Sequence, residues 1–155
     1  MPRKERLPWS MDRVALVTGS RKFEDKSYVW RVLDFHQPNL VVHGGATGVD
    51  TFADQWAYWN GVPRTIFAIS EKQWQEFGKA EGGFRNADMV AFLYQLSCEM
   101  DPSKEPDWIR LGFEGIVFPG GPGTENMRRK LFDAGIPYWD YQDGREPLAG
   151  QEGKL

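Results

Sequence analysis

Residues 114–141, EGIVFPGGPGTENMRRKLFDAGIPYWDY, read as a strand, a glycine loop, a helix and a second strand. EGIVF (114–118) is a short apolar run bounded by turn residues, the mark of a buried strand. TENMRRKLFDAG (124–135) follows as a helix, and IPYWDY (136–141) as a short strand. Two strands joined through a helix argue a parallel pair. The loop between them, PGGPG, raises its own question. Glycine in regular structure costs roughly 0.5–1 kcal/mol relative to alanine. Such a loop at the exit of a buried strand points to close approach, with backbone N–H groups brought against something that a Cβ would keep away.

The same alternation extends back along the chain. RVALVT (13–18), NLVVH (39–43) and PRTIFAI (63–69) are short apolar strands. DKSYVWRVLDFH (25–36) places Val29, Val32, Leu33 and His36 at helical intervals, and VDTFADQWAYWNG (49–61) does the same with Phe52, Trp56 and Trp59, with Gly61 suited to end it. RNADMVAFLYQLSC (85–98) is a third helix. SEKQWQEFGKAEGGF before it reads as a loop, and EMDPSKEPDWIRLGF (99–113) as a loop or short insertion. The expected fold is a Rossmann-like three-layer α/β/α arrangement with a parallel sheet of about five strands. Residues 13–141 form the domain. Residues 1–12 read as an N-terminal extension, and 142–155 as a flexible tail with little to bury.

Composition narrows the function. The chain has 155 residues, enough for one domain with a real core. A net charge of −3 supplies no basic field, so no long nucleic acid is expected as a partner. Cys98 is the single cysteine, which excludes an internal disulfide framework. The two histidines, His36 and His43, come without CxxC or HExxH, so no metal is expected, and no cofactor either. No apolar stretch approaches the roughly 18 residues of a membrane span. MPRKERLPWSMD lacks the apolar core of a signal peptide, so a cytoplasmic location is expected. Seven tryptophans in so short a chain imply core or interface duties, and a homodimer or larger homo-oligomer is the expected state.

Three strand ends carry unusual residues: Gly19-Ser20-Arg21, Gly44-Gly45-Ala46-Thr47-Gly48, and Pro119-Gly120-Gly121-Pro122-Gly123-Thr124. In a parallel α/β sheet these ends share one edge, where ligands bind. Each loop opens a helix, whose first N–H groups lack intrahelical partners and whose dipole is positive there. No loop is a Walker A motif, and none gives GxGxxG. Arg21, Lys79 and Arg85, the last beside Asn86, are candidates to hold a phosphate. Ser20, Thr47 and Thr124 can cap a helix or bond an anion. Asp50 and Glu125 stand at helix starts, where each can cap N–H groups or accept ribose hydroxyls, and these are the two candidate catalytic carboxylates. His43 reads as a packed strand-end histidine. Trp74 and Trp108 either stack a base or cover the core.

In order, LVTGSRKF, VVHGGATGVDTFADQWA, WQEFGKAEGGFRNADM, FPGGPGTENM and AGIPYW resemble the YspA/YpsA-like branch of the SLOG superfamily, also catalogued as a domain of unknown function. The resemblance runs from about Val14 to Tyr138. PGGPGT is also similar to the PGGxGT loop of the lonely guy cytokinin-activating proteins, a sister branch. The resemblance implies a Rossmann-like fold that binds a nucleotide or a nucleotide-derived phosphorylated ligand, ADP-ribose-like or cyclic, as a sensor or a sequestering sponge. The sister branch is a phosphoribohydrolase with a glutamate two residues past the loop threonine. Here that position is Asn126, and the nearest acid, Glu125, is turned away by about 100° of helix. Binding is therefore the expected activity. N-glycosidic hydrolysis of nucleoside monophosphates or ADP-ribose derivatives is the alternative.

Overall fold

Five strands and six helices follow one another through residues 13–78, 80–102 and 105–142, the part of the chain that this computed structural model describes. The N-terminal extension, Lys79 and all of the tail beyond Gln142 lie outside the described residues. The order is β1 (Val14–Thr18), α1 (Lys26–His36), β2 (Leu40–His43), α2 (Val49–Trp59), β3 (Arg64–Ile66), α3 (Glu71–Phe77), α4 (Ala80–Met100), α5 (Trp108–Leu111), β4 (Phe113–Val117), α6 (Pro122–Asp133) and β5 (Tyr138–Asp140).

The strands form one all-parallel sheet in the order β3-β2-β1-β4-β5, with Leu16 opposite Val42 and Gly115, and Thr18 opposite Val117. Successive strand side chains alternate between faces. Ala15, Val17, Val41 and Ile116 pack with Val29, Val32, Leu33, Ala53 and Trp56 of α1 and α2. Val14, Leu16, Val42, Phe113 and Val117 pack with Met89 and Leu93 of α4, Trp108 and Leu111 of α5, and Met127 and Leu131 of α6. Helices thus cover both faces, which is why the central strands are apolar throughout rather than alternating with polar residues. The fold is the Rossmann-like three-layer α/β/α arrangement. Gly115 explains how α6 sits so close: a Cβ there would come within 2.6 Å of Leu131 Cδ1.

Element bounds differ from the sequence reading where local chemistry outweighs periodicity. The stretch after β3 is not a loop throughout. Ser70 accepts from Gln73 N–H at 3.2 Å while Gln73 Oε1 accepts from Ser70 N–H at 2.8 Å, a capping box that starts α3. Gly78, at φ +56°, ends it. α4 begins five residues before the expected Arg85, at Ala80, and runs through Gly82 and Gly83. α5 is a single turn, capped by Asp107 and stopped by Gly112 at φ +80°. α6 starts at Pro122 rather than Thr124, because proline at the first helical position has a fitting φ and no N–H to leave unpaired. Among the described residues no helix is long and apolar enough to cross a membrane.

Candidate functional site

The sheet order reverses direction between β1 and β4, so the loops after these strands part and leave a crevice at the carboxyl edge. Glycine holds the crevice walls together. Ser20 N–H donates to Pro119 O at 2.9 Å, tying the two loops. A Cβ on Gly120 would lie 2.1 Å from Thr124 Oγ1 and 3.0 Å from Ser20 N. One on Gly19 would lie 2.5 Å from Val49 Cγ2. Gly48 has φ +73°, and a Cβ there would meet Ser20 O at 2.3 Å. Thr47 Oγ1 donates to Arg21 O at 3.0 Å, so the second glycine loop braces the first.

Gly121 and Gly123 differ: among the described residues nothing lies within 4 Å of an added Cβ on either. Gly121 has φ −102°, open to any residue, so no backbone strain accounts for it. Both border a cavity of about 340 Å³, together with Thr18, Gly19, Ser20, Arg21, Lys22, Ala46, Asp50, Arg85, Asn86, Pro122 and Thr124. The first intrahelical bond of α6 is Glu125 N–H to Gly121 O at 3.0 Å. The N–H groups of Gly123 and Thr124 precede it, in the first turn where helical donors lack helical partners.

Among the described residues three cationic side chains line the cavity, Arg21, Lys22 and Arg85, against one acid, Asp50. Arg85 is held by α4: its Nη1 donates to Gly44 O at 2.6 Å and its Nε to Asn86 Oδ1 at 3.1 Å. A Cβ on Gly44 would stand 2.2 Å from that Nη1, so glycine at 44 makes the seat for the guanidinium. Burial lowers the Arg85 pKa, with Asp50 opposing, yet an arginine stays charged at neutral pH. Asn86 Nδ2 donates to Gly123 O at 3.2 Å and to Asn126 Oδ1 at 3.0 Å, which fixes α4 to the start of α6. Asn126, at the position of the sister branch's glutamate, is part of this brace.

Asp50 is nearly fully buried, and its Oδ2 accepts from both Gly44 N–H and Ala46 N–H at 3.2 Å. It thereby fastens the preceding loop rather than capping its own helix. Burial raises its pKa, with His43, Arg85 and the two N–H groups opposing. Both of these backbone bonds go to Oδ2.

Beside this cavity lies a second of about 200 Å³, lined by Arg21, Gly44, Gly45, Ala46, Thr47, Ala68, Ile69, Trp74 and Arg85. A third, of about 340 Å³, is bordered by His43, Asp54 and Ile66 among others. There His43 Nε2 bonds Asp54 Oδ1 at 2.8 Å, which also receives Arg64 Nε at 2.8 Å, and His43 Nδ1 accepts from Gly45 N–H at 3.0 Å. Both nitrogens serve packing, as read for a strand-end histidine.

The structure brings Gly19, Ser20, Arg21, Asp50, Arg85, Asn86, Gly121, Gly123 and Thr124 to the first cavity, and Gly44, Gly45 and Thr47 to the second. Gly48, Gly120 and Glu125 line neither. Glu125 is exposed and pairs with Arg128. Trp108 is core, its Nε1 donating to Ala134 O at 3.2 Å, whereas Trp74 lines the second cavity. The sequence reading passed over Lys22, although a base directly after the glycine loop was signal enough. Nothing local marks Ala68 or Ile69. Among the described residues no cluster of three or more His, Cys, Asp or Glu is arranged to hold a metal.

The YspA, cpYpsA-related SLOG family matches residues 13–72. The Gene 61 protein of Mycobacterium phage D29 is 32% identical over 143 residues, covering 84% of this chain and 98% of that protein. Among solved structures, DNA processing protein A from Streptococcus pneumoniae is similar with a TM-score of 0.43 and 17% identity. That alignment takes in 85% of this chain, which spans 60% of the pneumococcal chain.

Proposed function

The chain belongs to the YspA, cpYpsA-related SLOG family, and from that premise we propose that its crevice binds a nucleotide-derived ligand by a phosphate. The observation that carries the proposal is the pairing of three cations with an unobstructed first turn of α6 at Gly121 and Gly123. A phosphate there takes backbone N–H groups from α6 and charge from Arg21 and Arg85. Asp50 Oδ1 is the acceptor for a sugar hydroxyl. A ligand of this kind, ADP-ribose-like or a cyclic nucleotide signal, suits a protein that senses or sequesters it.

Binding is favoured over hydrolysis by the carboxylates. Glycosidic cleavage ordinarily uses a pair flanking the bond. Among the described residues one acid lines the cavity, and one of its oxygens already takes two backbone N–H groups. The specific observation that keeps N-glycosidase activity as a second reading is that Asp50 is a buried carboxyl within the cavity, where burial favours its protonated form, as in a proton donor. Incubation with AMP and ADP-ribose, followed by chromatography for free base and a native mass spectrum, separates the two. Retained intact ligand supports binding, released adenine supports the glycosidase, and neither would remove both readings. The same spectrum reads the homodimer or larger assembly proposed from exposed aromatics such as Trp59, 72% exposed.

A further inference from the structure

We propose that the smaller cavity is a base-stacking subsite whose wall is Trp74, so that the ligand is a nucleotide lying across Arg21, with its phosphate in the first cavity and its aromatic base in the second. This rests on the phosphate reading above and adds the class of the ligand's other end.

Trp74 is the starting point. It belongs to α3, a helix with no buried residue, and is itself 37% exposed. An indole left half open on such a helix has no core duty to explain it. The helix nevertheless holds it in place, since Trp74 N–H donates to Ser70 O at 3.1 Å and Gly78 N–H to Trp74 O at 2.8 Å, between a capping box and a glycine stop. Around the indole the lining is the small or apolar side chains of Ala46, Ala68 and Ile69, the backbone of Gly44 and Gly45, and, as its polar members, Thr47, Arg21 and Arg85. An aromatic face beside small apolar neighbours and polar edge groups suits a nucleobase, because every base has a π-face to stack.

Size and continuity agree. At about 200 Å³ the slot is smaller than the roughly 300–1,000 Å³ usual for a whole small molecule, as befits one lobe of a ligand. It shares Arg21, Ala46 and Arg85 with the first cavity, so the two adjoin along a line of cations. The Arg21 guanidinium carbon stands over the Trp74 ring, 5.8 Å from its centroid. That is the outer range of a cation–π contact. Arg21 is exposed, and a base that takes the ring face displaces its guanidinium along the seam towards the phosphate.

A competing role for Trp74 is to position Arg21 only. Two probes distinguish them: AMP, and ribose 5-phosphate, which lacks the base. Each is titrated calorimetrically into the full chain, into Trp74→Leu and into Trp74→Phe, with melting curves as controls; no residue of α3 is fully buried, so melting is expected to hold. The proposal predicts that Trp74→Leu weakens AMP by roughly 5- to 150-fold, the loss of one base–aromatic stack, and leaves ribose 5-phosphate unchanged. Trp74→Phe is predicted to restore most of the AMP affinity. Equal weakening of both probes, or unchanged AMP binding, would overturn the base subsite and leave the phosphate site standing. Failure of the wild-type protein to bind either probe would overturn both.

Discussion

Gly120 and Gly121 are neighbours with opposite duties. A Cβ on Gly120 has nowhere to go, with Thr124 Oγ1 at 2.1 Å and Ser20 N at 3.0 Å, whereas one on Gly121 meets nothing within 4 Å. Gly120→Ala is therefore expected to destabilise by about 1–3 kcal/mol, the usual cost of overpacking. Gly121→Ala is expected to melt close to wild type, and differential scanning calorimetry on the pair checks both. This contrast was not legible in the sequence. PGGPGT announces a close approach but not which glycine makes it, because Ser20 comes from the other end of the chain. Asp50 offers a second residue-scale test. Its folded pKa lies above 3.8, so between that value and the raised one the folded state holds a proton that the unfolded chain has released. Stability is thus lost as pH rises through that window. Asn at 50 does not titrate and can still accept from Gly44 and Ala46. The difference in unfolding free energy between Asp50→Asn and wild type is expected to move in the variant's favour as pH rises above 3.8, as followed by urea denaturation. A difference constant with pH would contradict the buried-acid account.

At the scale of elements, periodicity served where a face is buried and failed where none is. β1, β2 and β4, and the helices α1, α2 and α6, have apolar residues at the spacing of their elements because both sheet faces are covered. α3 buries no residue, so it has no apolar stripe to find, and Gly82 and Gly83 disguise the first turns of α4. The signal for α3 was chemical rather than periodic: Ser70 and Gln73 stand at capping-box spacing. Because α3 lies outside the core, its cap acts locally. Ser70→Ala is expected to cost about 1 kcal/mol of helix stability. Faster amide exchange confined to residues 71–77, with an unchanged global melting temperature, is the expected result of hydrogen exchange on this variant. Loss of global stability would mean that α3 is more deeply integrated than its exposure shows.

Across the whole molecule, the strand order gathers residues from distant segments at one edge: Arg21 after β1, Asp50 at the head of α2, Arg85 on α4 and Gly121 after β4. The alternation of strands and helices made that gathering legible, since parallel sheets bind at their carboxyl ends. What it left open was the division of labour between the two arginines. Arg85 is fastened to Gly44 O and Asn86, and Arg21 is exposed on its loop. Arg21→Ala is accordingly expected to leave melting unchanged while weakening a phosphorylated ligand by about 1.5–3 kcal/mol, the range for a charged hydrogen bond. Arg85→Ala is expected to lower both affinity and melting temperature. The central claim is that the open turn at Gly121 lies against a phosphate. The most direct measurement is a calorimetric titration of AMP and ADP-ribose into Gly121→Ala, beside wild type and beside a melting curve of the same preparation. The account predicts near-normal melting with binding lost, because the added Cβ stands where the anion meets the α6 N–H groups. Near-normal melting with wild-type affinity would contradict it.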